Sequence, residues 1–228
     1  MKIIREYFAG IPTIGVLSLS TENFALFPYF ISDNTLKKCS EILKVPSIKL
    51  NIGNSSLIGS LSVGNSYGLI LPELVTNEEI GLLKKFFKEN DIDIIVEKIN
   101  CKNTAFGNLI VTNDRGCIIS SEIEKYLPKI EDILNVEGIV LDIANLQTVG
   151  SNAIITNKGA FLHPGTSDED IEIIKDITKV ECIGVGTANR GTMSVGACII
   201  GNSKGAIVGG NTTGPELLRI EESLDLID

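Results

Sequence analysis

The sequence has few of the side chains from which metal sites and nucleophilic active sites are built. His163 is the only histidine, and none of the five cysteines forms a CxxC spacing with another. One histidine without a CxxC pair cannot complete a usual zinc ligand set. We therefore expect no metal and no other cofactor, and we interpret the cysteines as free thiols, most of them buried. They are Cys39, Cys101, Cys117, Cys182 and Cys198.

Long hydrophobic runs are also missing. No apolar stretch approaches the roughly 18 residues that a membrane-spanning helix needs. The N-terminal stretch MKIIREYFAGIPTIG carries Lys2, Arg5 and Glu6 and has no long apolar segment of the kind found in signal peptides. With 43% hydrophobic and 21% charged residues, the composition is that of a globular protein. We expect a cytoplasmic protein that does not associate with membranes.

Basic residues are outnumbered. There are 20 Lys and Arg against 29 Asp and Glu, and the formal net charge is −9. This balance argues against binding to nucleic acid mainly by phosphate neutralisation, which needs clustered Lys and Arg. It is compatible with a basic protein partner, including one embedded in a larger nucleoprotein particle.

A glycine-led pattern recurs five times along the chain. The segments are 14–28, 58–72, 106–120, 149–164 and 195–210, and the last reads VGACIIGNSKGAIVGG. Each has a glycine at its second position and then a short β-prone run, and continues through a turn to a second apolar run. Turns that contain Asn and end in Gly tolerate the positive φ that hairpin loops often need. The pattern predicts five β-hairpins with leading glycines 43 to 48 residues apart: Gly15, Gly59, Gly107, Gly150 and Gly196.

An amphipathic helix is predicted after each hairpin, at 33–44, 76–90, 121–134, 167–178 and 213–226. Three of these helices have the residues of a capping box, in the pairs Thr76 and Glu79, Ser121 and Glu124, and Thr213 and Glu216. Pro128 predicts that the third helix is kinked or starts late. A third strand follows each of the first four helices, at 46–51, 93–99, 138–143 and 179–184. The repeat is therefore strand, strand, helix, strand.

The two ends of the chain favour a closed ring. The helices exclude an all-β propeller blade, and the hairpins exclude a helical array. The fifth repeat has no third strand after its helix, whereas an unassigned strand at 2–8 opens the chain. Inserting that strand into the fifth repeat would cover two sheet edges. We therefore predict an α/β fold in which residues 1–228 form a single domain, a closed toroid of five pseudo-symmetric repeats.

Motifs of enzymes are incomplete. In GTANRGT (186–192), Gly186 and Gly191 have the spacing of a phosphate-binding loop, but no Lys follows the second glycine. A turn between strands explains this stretch. His163 stands at a strand end beside a proline, and no pattern of a base with an orienting partner accompanies it. Cys198 with His163 is the one nucleophile and base pair that can be nominated, although the two occupy non-equivalent places in different repeats.

The positions just after the leading glycines are more informative. They hold Val16, Ser60, Asn108, Ser151 and Ala197, which pseudo-symmetry places at one level of the toroid, near strand starts. Together with Asn152, the small and amide side chains would form a polar, uncharged patch suited to docking. Equally, these side chains could only satisfy buried backbone groups near the axis. Both interpretations stay open at this point.

Five segments carry a resemblance to a known family: GSLSVGNSYGLILP (59–72), NTAFGNLIVTND (103–114), VGSNAIITNKGAFLHP (149–164), GTANRGT (186–192) and NTTGPEL (211–217). In these segments the sequence resembles the translation initiation factor 6 family of archaea and eukaryotes. The similarity runs from Arg5 to about Leu226. It implies a pentein-like fivefold toroid, in agreement with the repeats. The eukaryotic members have a C-terminal extension that this sequence lacks, so we expect an archaeal member.

The resemblance implies a binding protein and no catalysis. Members bind the large ribosomal subunit on the face that meets the small subunit, and so prevent premature joining. Docking uses mainly a basic large-subunit protein near the sarcin–ricin loop, and Lys84 and Lys85 leave room for minor contacts with ribosomal RNA. We expect a monomer. The predicted contact residues are Ser60, Asn65, Asn108, Ser151, Asn152 and Arg190.

Two other functions stay open. One is a guanidine-modifying hydrolase on the same toroid, with Cys198 as nucleophile and His163 as its partner. The other is a binding module for a different basic protein, which would show no preference for the large over the small subunit.

Overall fold

Five three-stranded sheets surround a central axis in the computed structural model, which describes residues 2–227. The strands are β1 (Ile3–Glu6), β2 (Leu19–Ser20), β3 (Ala25–Pro28), β4 (Ser47–Leu50), β5 (Val63–Gly64), β6 (Gly68–Pro72), β7 (Ile95–Ile99), β8 (Ile110–Thr112), β9 (Gly116–Ile119), β10 (Glu137–Val140), β11 (Ala153–Ile155), β12 (Gly159–Leu162), β13 (Cys182–Val185), β14 (Ile199–Asn202) and β15 (Gly205–Gly209). The sheets contain, in turn, β2–β4, β5–β7, β8–β10, β11–β13, and β14 and β15 with β1.

All five sheets have the same pairing. The inner strand lies next to the axis and pairs antiparallel with the middle strand, as Ile110 does with Ile119. The middle strand pairs in parallel with the outer strand. In the fifth sheet the outer strand is β1 from the chain start, where Ile3 pairs with Ala206. The predicted α/β toroid of five strand–strand–helix–strand repeats is confirmed.

Long helices follow the hairpins where the sequence predicts them. Thr76 and Glu79 form the predicted capping box, since Glu79 N–H donates to Thr76 Oγ1 at 3.2 Å and Thr76 N–H donates to Glu79 Oε2 at 3.0 Å. Thr213 N–H likewise donates to Glu216 Oε2 at 2.8 Å. The helices are α1 (Ile14–Leu17), α2 (Asp33–Leu43), α3 (Ile58–Leu61), α4 (Asn77–Glu89), α5 (Phe106–Leu109), α6 (Leu127–Leu134), α7 (Val149–Asn152), α8 (Asp168–Thr178) and α9 (Gly214–Ser223).

The third repeat departs from its predicted helix start. A capping box of Ser121 and Glu124 is wrong, because the N-cap is Ser120, whose Oγ accepts from the N–H of Glu122 at 3.2 Å. Residues Ser121–Tyr126 form a 3₁₀ segment, and α6 begins only at Leu127. Pro128 then occupies the first turn of an α-helix, where its missing N–H costs nothing. The late start expected from this proline is confirmed.

The start of each hairpin also differs from the prediction. In the first four repeats the residues around the leading glycine form a single helical turn, α1, α3, α5 or α7, and the inner strand starts only after it. Val16, Ser60, Asn108 and Ser151 therefore lie in short helices and not at strand starts. Neighbouring short helices pack side by side around the axis.

A ring of glycines brings these helical turns together. A Cβ added at Gly107 would overlap the carbonyl oxygen of Gly59, and one at Gly59 would overlap that of Gly15. Gly15 is related in the same way to Gly196, Gly196 to Gly150, and Gly150 to Gly107, so the ring is closed. Each position needs glycine because the backbone of the neighbouring repeat occupies the space of a side chain.

Hairpin turns join neighbouring repeats at the opposite end of the toroid. Asn113 Nδ2 donates to the carbonyls of Thr156 at 3.1 Å and Thr178 at 2.9 Å, both in the fourth repeat. Asn65 makes the equivalent bonds to the third repeat, and Asn202 makes them to the first. Threonine holds this position in the first and fourth repeats, as Thr21 and Thr156. We call the contact between one repeat and the next a seam. Two of the five seams therefore lack the asparagine bridge.

The glycines that end these turns have a role other than the predicted one. Among the described glycines, positive φ occurs at Gly10, Gly53 and Gly191, and none of these ends a hairpin turn. A Cβ at Gly116 would instead overlap the carbonyl oxygen of Ile177 in the next repeat's helix. In the first repeat Phe24 takes this position and packs edge-on against Phe87 at a centroid distance of 4.9 Å.

The hydrophobic core is divided among the five seams. Each of five buried clusters combines the sheet of one repeat with residues of the next. Between the first and second repeats, for example, Leu26 and Leu50 pack with Leu83 and Phe86. Closing the ring therefore buries apolar surface at every seam, and no repeat has a core of its own.

Gly107→Ala should destabilise the protein by more than about 3 kcal/mol, because the methyl group would collide with the Gly59 backbone. Gly81→Ala is the matched control. Gly81 lies in α4 with no atom within 4 Å of an added Cβ, so this change should stabilise by about 0.5–1 kcal/mol. Urea unfolding of both variants measures the difference. Equal effects of the two substitutions would contradict the close approach.

Thr156→Asn should supply the missing bridge between the fourth and fifth repeats and raise the free energy of unfolding by about 1 kcal/mol. By equivalence with Asn113, the new amide would donate to the carbonyls of Asn202 and Leu224. Thr21→Asn is the control, because Phe24 stands where the other turns have glycine, and it should change stability by less than about 0.5 kcal/mol. A gain in the control alone would show that the bridge is not the cause.

Candidate functional site

One end of the toroid gathers most of the predicted contact residues. We call it the loop face. It consists of the short helices, the loops 7–13, 51–57, 100–105, 141–148 and 186–195 at the start of the repeats, and the N-termini of the long helices with the segments that precede them, such as 29–32 and 73–76. Ser60, Asn108, Ser151 and Asn152 lie in its short helices, and Arg190 lies in its loop 186–195. The hairpin turns form the opposite end, which we call the turn face.

The polar side chains at the centre of the loop face partly hydrogen-bond to one another. Ser151 Oγ donates to Asn108 Oδ1 at 3.1 Å across the seam between two repeats, and both residues are half-buried. Asn152 is buried, donates to Thr148 Oγ1 and accepts from Ser194 Oγ, both at 3.2 Å. Ser60 is also buried. Asn108 and Ser151 therefore keep accessible surface, whereas Asn152 and Ser60 are enclosed.

Asn65 lies apart from the other five predicted contact residues. It belongs to the turn face and is 2% exposed. Its Nδ2 donates to the carbonyls of Asn113 and Leu134, and its Oδ1 accepts from the N–H groups of Tyr67 and Gly68. The structure gives Asn65 a bridging role between repeats, and sequence position could not separate that role from docking.

Exposed apolar side chains are the feature of this face that sequence reasoning missed. Among the described residues, eight of the fourteen large hydrophobic side chains that are exposed lie on the loop face, with exposed fractions from 39% to 71%. Their signal in the sequence is apolar residues in loops, which periodicity does not flag. They are Tyr7, Ile11, Tyr29, Phe30, Leu57, Leu74, Leu146 and Met193.

Acidic residues surround this apolar ring. The first turns of the long helices carry Asp33, Glu78, Glu122 and three consecutive acids at 168–170. Several lysines nearby are already paired: Lys49 with Asp33, Lys98 with Glu73 at 3.2 Å, and Lys38 with Glu6 at 2.7 Å. The rim is therefore acidic, which suits a partner of opposite charge.

Arg190 is placed by a carboxylate from the next repeat. Glu216 in α9 accepts from the N–H groups of Arg190 at 3.2 Å and Gly191 at 2.8 Å, and from Thr187 Oγ1 at 2.8 Å. Burial raises the pKa of Glu216, but hydrogen bonds from Thr213, Gly191 and Thr187 outweigh it and lower the pKa to about 2. The carboxylate is therefore charged at any physiological pH.

The central cavity gives no support for the hydrolase alternative. It has a volume of about 100 Å³ and is lined by the glycine ring and the inner strands, without Cys198 or His163 and without an ionisable side chain. Cys198 is fully buried, and burial raises the pKa of its thiol. His163 Nδ1 accepts from Gly165 N–H at 2.9 Å, and burial lowers its pKa. Neither side chain therefore contributes to the wall of the central cavity.

Three further features bear on ligands and location. Within residues 2–227, no cluster of three or more His, Cys, Asp or Glu side chains could hold a metal ion. None of the described helices is long and apolar enough to span a membrane. Lys84 and Lys85 are exposed on α4, on the outer flank of the toroid, and Lys85 lies 3.8 Å from Glu89.

Glu216 should make stability depend on pH. Because its pKa is lower in the folded protein than the usual 4.5, its contribution is complete above pH 4.5 and is lost as the pH falls towards 2. We expect Glu216→Gln to cost about 1–2 kcal/mol at pH 6, after allowance for solvent screening of this half-buried group, and much less at pH 3. Urea unfolding between pH 3 and 6 measures this gap. Glu222→Gln, exposed on the same helix, should open no such gap.

The comparisons with known proteins agree with this architecture. The family model described as the eIF-6 family matches residues 3–223. "Translation initiation factor 6" of Methanococcus vannielii is 57% identical over 226 residues, which are 99% of this chain and 100% of the relative. The same-named protein of Methanocaldococcus jannaschii is 57% identical over 99% of both chains, and that of Pyrococcus abyssi is 41% identical over the full length of both.

A remote likeness to a solved enzyme structure adds nothing to this. Dimethylarginine dimethylaminohydrolase from Pseudomonas aeruginosa, in complex with citrulline, is 11% identical over 93% of this chain and 73% of its own, with a TM-score of 0.47. The family match, in contrast, covers nearly the whole chain, and the named relatives are archaeal translation initiation factors. The chain belongs to the eIF-6 family, and its role lies in translation initiation.

Proposed function

We propose that this protein binds the large ribosomal subunit through its loop face and thereby prevents premature joining with the small subunit. The observation that carries the proposal is the concentration of exposed apolar side chains on that face, around a small polar centre that includes Asn108 and Ser151. Exposed apolar residues grouped in this way mark interaction surfaces. The family supplies the setting in translation.

The chemistry of the loop face favours a basic protein as the main contact, near the sarcin–ricin loop of the subunit. The acidic first turns of the helices and the net charge of −9 would attract such a partner and repel bulk ribosomal RNA. Lys84 and Lys85 lie on the flank, where minor contacts with RNA phosphates remain compatible with this docking. A standard interface of roughly 1,600 Å² would be enough for tight binding if its centre packs well.

Blocking by this protein needs no chemical reaction. A closed toroid seated on the joining face occupies the volume that the small subunit requires, so binding alone accounts for the effect. The glycine ring and five seams make the toroid a stiff obstacle, because no repeat can move without disturbing two cores. We propose that the protein acts as a cytoplasmic monomer.

Substitutions on the two faces should separate docking from stability. Asn108→Lys on the loop face should weaken binding to purified large subunits by at least about tenfold, because it brings a positive charge to a basic partner. Asn23→Lys on the turn face is the matched control and should change affinity by less than about twofold. Leu57→Lys and Leu82→Lys form a second pair, with 44% and 53% exposed side chains on the loop face and on α4.

Co-sedimentation with separate large and small subunits measures this binding, and reassociation at raised magnesium measures the block. We expect selective binding to the large subunit and fewer joined ribosomes. Binding to both subunits alike would favour a general module for basic proteins. Unchanged binding by both loop-face variants would show that another surface docks.

A further inference from the structure

The loop that carries Arg190 has an unusual backbone. Asn189, Arg190 and Gly191 follow one another with φ values of 50°, 63° and 96°, all in the left-handed region. Glycine adopts this region freely and asparagine does so more readily than most residues, but arginine does not. Such a conformation persists only where the surroundings hold it.

Glu216 of the neighbouring repeat holds the backbone of Arg190 in this conformation. Both carboxylate oxygens are used, since Oε1 accepts from Gly191 N–H and Thr187 Oγ1, while Oε2 accepts from Arg190 N–H and from Thr213. The sequence explains only the contact with Thr213, which is the capping box of α9. The other three bonds reach across the seam and fix the loop relative to that helix.

The same arrangement occurs at a second seam. Gly53 and Asn54 in loop 51–57 both have φ of 61°. Their N–H groups donate to Glu79 of the next repeat, at 2.8 Å to Oε2 and 2.9 Å to Oε1. Glu79 also belongs to a capping box. In both places a carboxylate at the third position of a helix thus stabilises its own helix and the preceding repeat's loop.

The Arg190 side chain stays available while its backbone is fixed. It is exposed, and no carboxylate in residues 2–227 forms an ion pair with its guanidinium. Its five donors in a planar fork suit acceptor oxygens of a partner. Fixing the backbone before contact lowers the conformational entropy lost on binding.

We infer that Glu216 is a positioning residue for docking, which holds Arg190 in the conformation that contacts the large subunit. Glu79 has the same role for loop 51–57, which carries Leu57. This inference rests on the proposed function. It adds that the side chains of Glu216 and Glu79, which do not themselves touch the partner, hold the contact loops in one conformation.

A double-mutant cycle on large-subunit binding tests the inference. Arg190→Ala should weaken binding by about tenfold and Glu216→Gln by about fivefold. If Glu216 acts through Arg190, the double variant should be weaker than Arg190→Ala by less than about twofold. Glu222→Gln, exposed on the same helix, should bind like the unchanged protein. Amide hydrogen exchange at Arg190 and Gly191 should quicken in Glu216→Gln and not in Glu222→Gln.

Gly191→Ala provides a second variant if Glu216→Gln folds poorly. An added Cβ there meets no atom within 4 Å, so the change acts only through the backbone preference at φ +96°. It should weaken binding, and its effect should also be absorbed by Arg190→Ala. A purely structural role of Glu216 would lower stability without this coupling.

The outcomes separate the two proposals. Multiplicative losses in the double variant, or normal binding by Glu216→Gln when Arg190→Ala binds weakly, would overturn the positioning role alone. Absence of large-subunit binding by the unchanged protein would overturn the proposed function and the docking role with it. Amide exchange at Arg190 and Gly191 would still report whether Glu216 holds the loop.

Discussion

The contact between one glycine and the next glycine's carbonyl oxygen sets the geometry of the whole molecule. Five such contacts form a closed ring, and they fix how near the repeats come to the axis. The short helices, the inner strands and the loop face all take their places from that distance. A side chain at any of the five positions would push two repeats apart and strain the closed ring.

The other contacts between neighbouring repeats differ from seam to seam. Every seam has an apolar cluster, but asparagine bridges join the turn face at three seams and threonine replaces asparagine at two. At the seam between the first and second repeats, the ring of Phe24 against Phe87 substitutes for a glycine contact. The fivefold pseudo-symmetry therefore applies to the spacing of the backbones, whereas the side chains that pack between the repeats differ from one seam to the next.

The sequence was sufficient for the repeats, the long helices and the closing strand, because leading glycines, capping residues and amphipathic spacing are local signals. It was insufficient wherever the deciding contact came from a neighbouring repeat. The sequence predicts Asn65 only as a contact residue, and the bonds of its amide to Asn113 and Leu134 emerge from the structure. The sequence identifies Glu216 only as half of a capping box, since its bonds to loop 186–195 come from a neighbouring repeat. The exposed apolar ring was missed because single hydrophobic residues in loops have no periodicity.

Parallel pairing of β1 with β15 has a consequence for synthesis on the ribosome. Ile3 is synthesised well before its partner Ala206, which belongs to the fifth repeat. Until Ala206 is made, β1 is unpaired and the repeats form an open row. Contacts of such large sequence separation form late and slowly. The toroid can therefore close only after β15 has been synthesised, and a product truncated before β15 would present no continuous loop face.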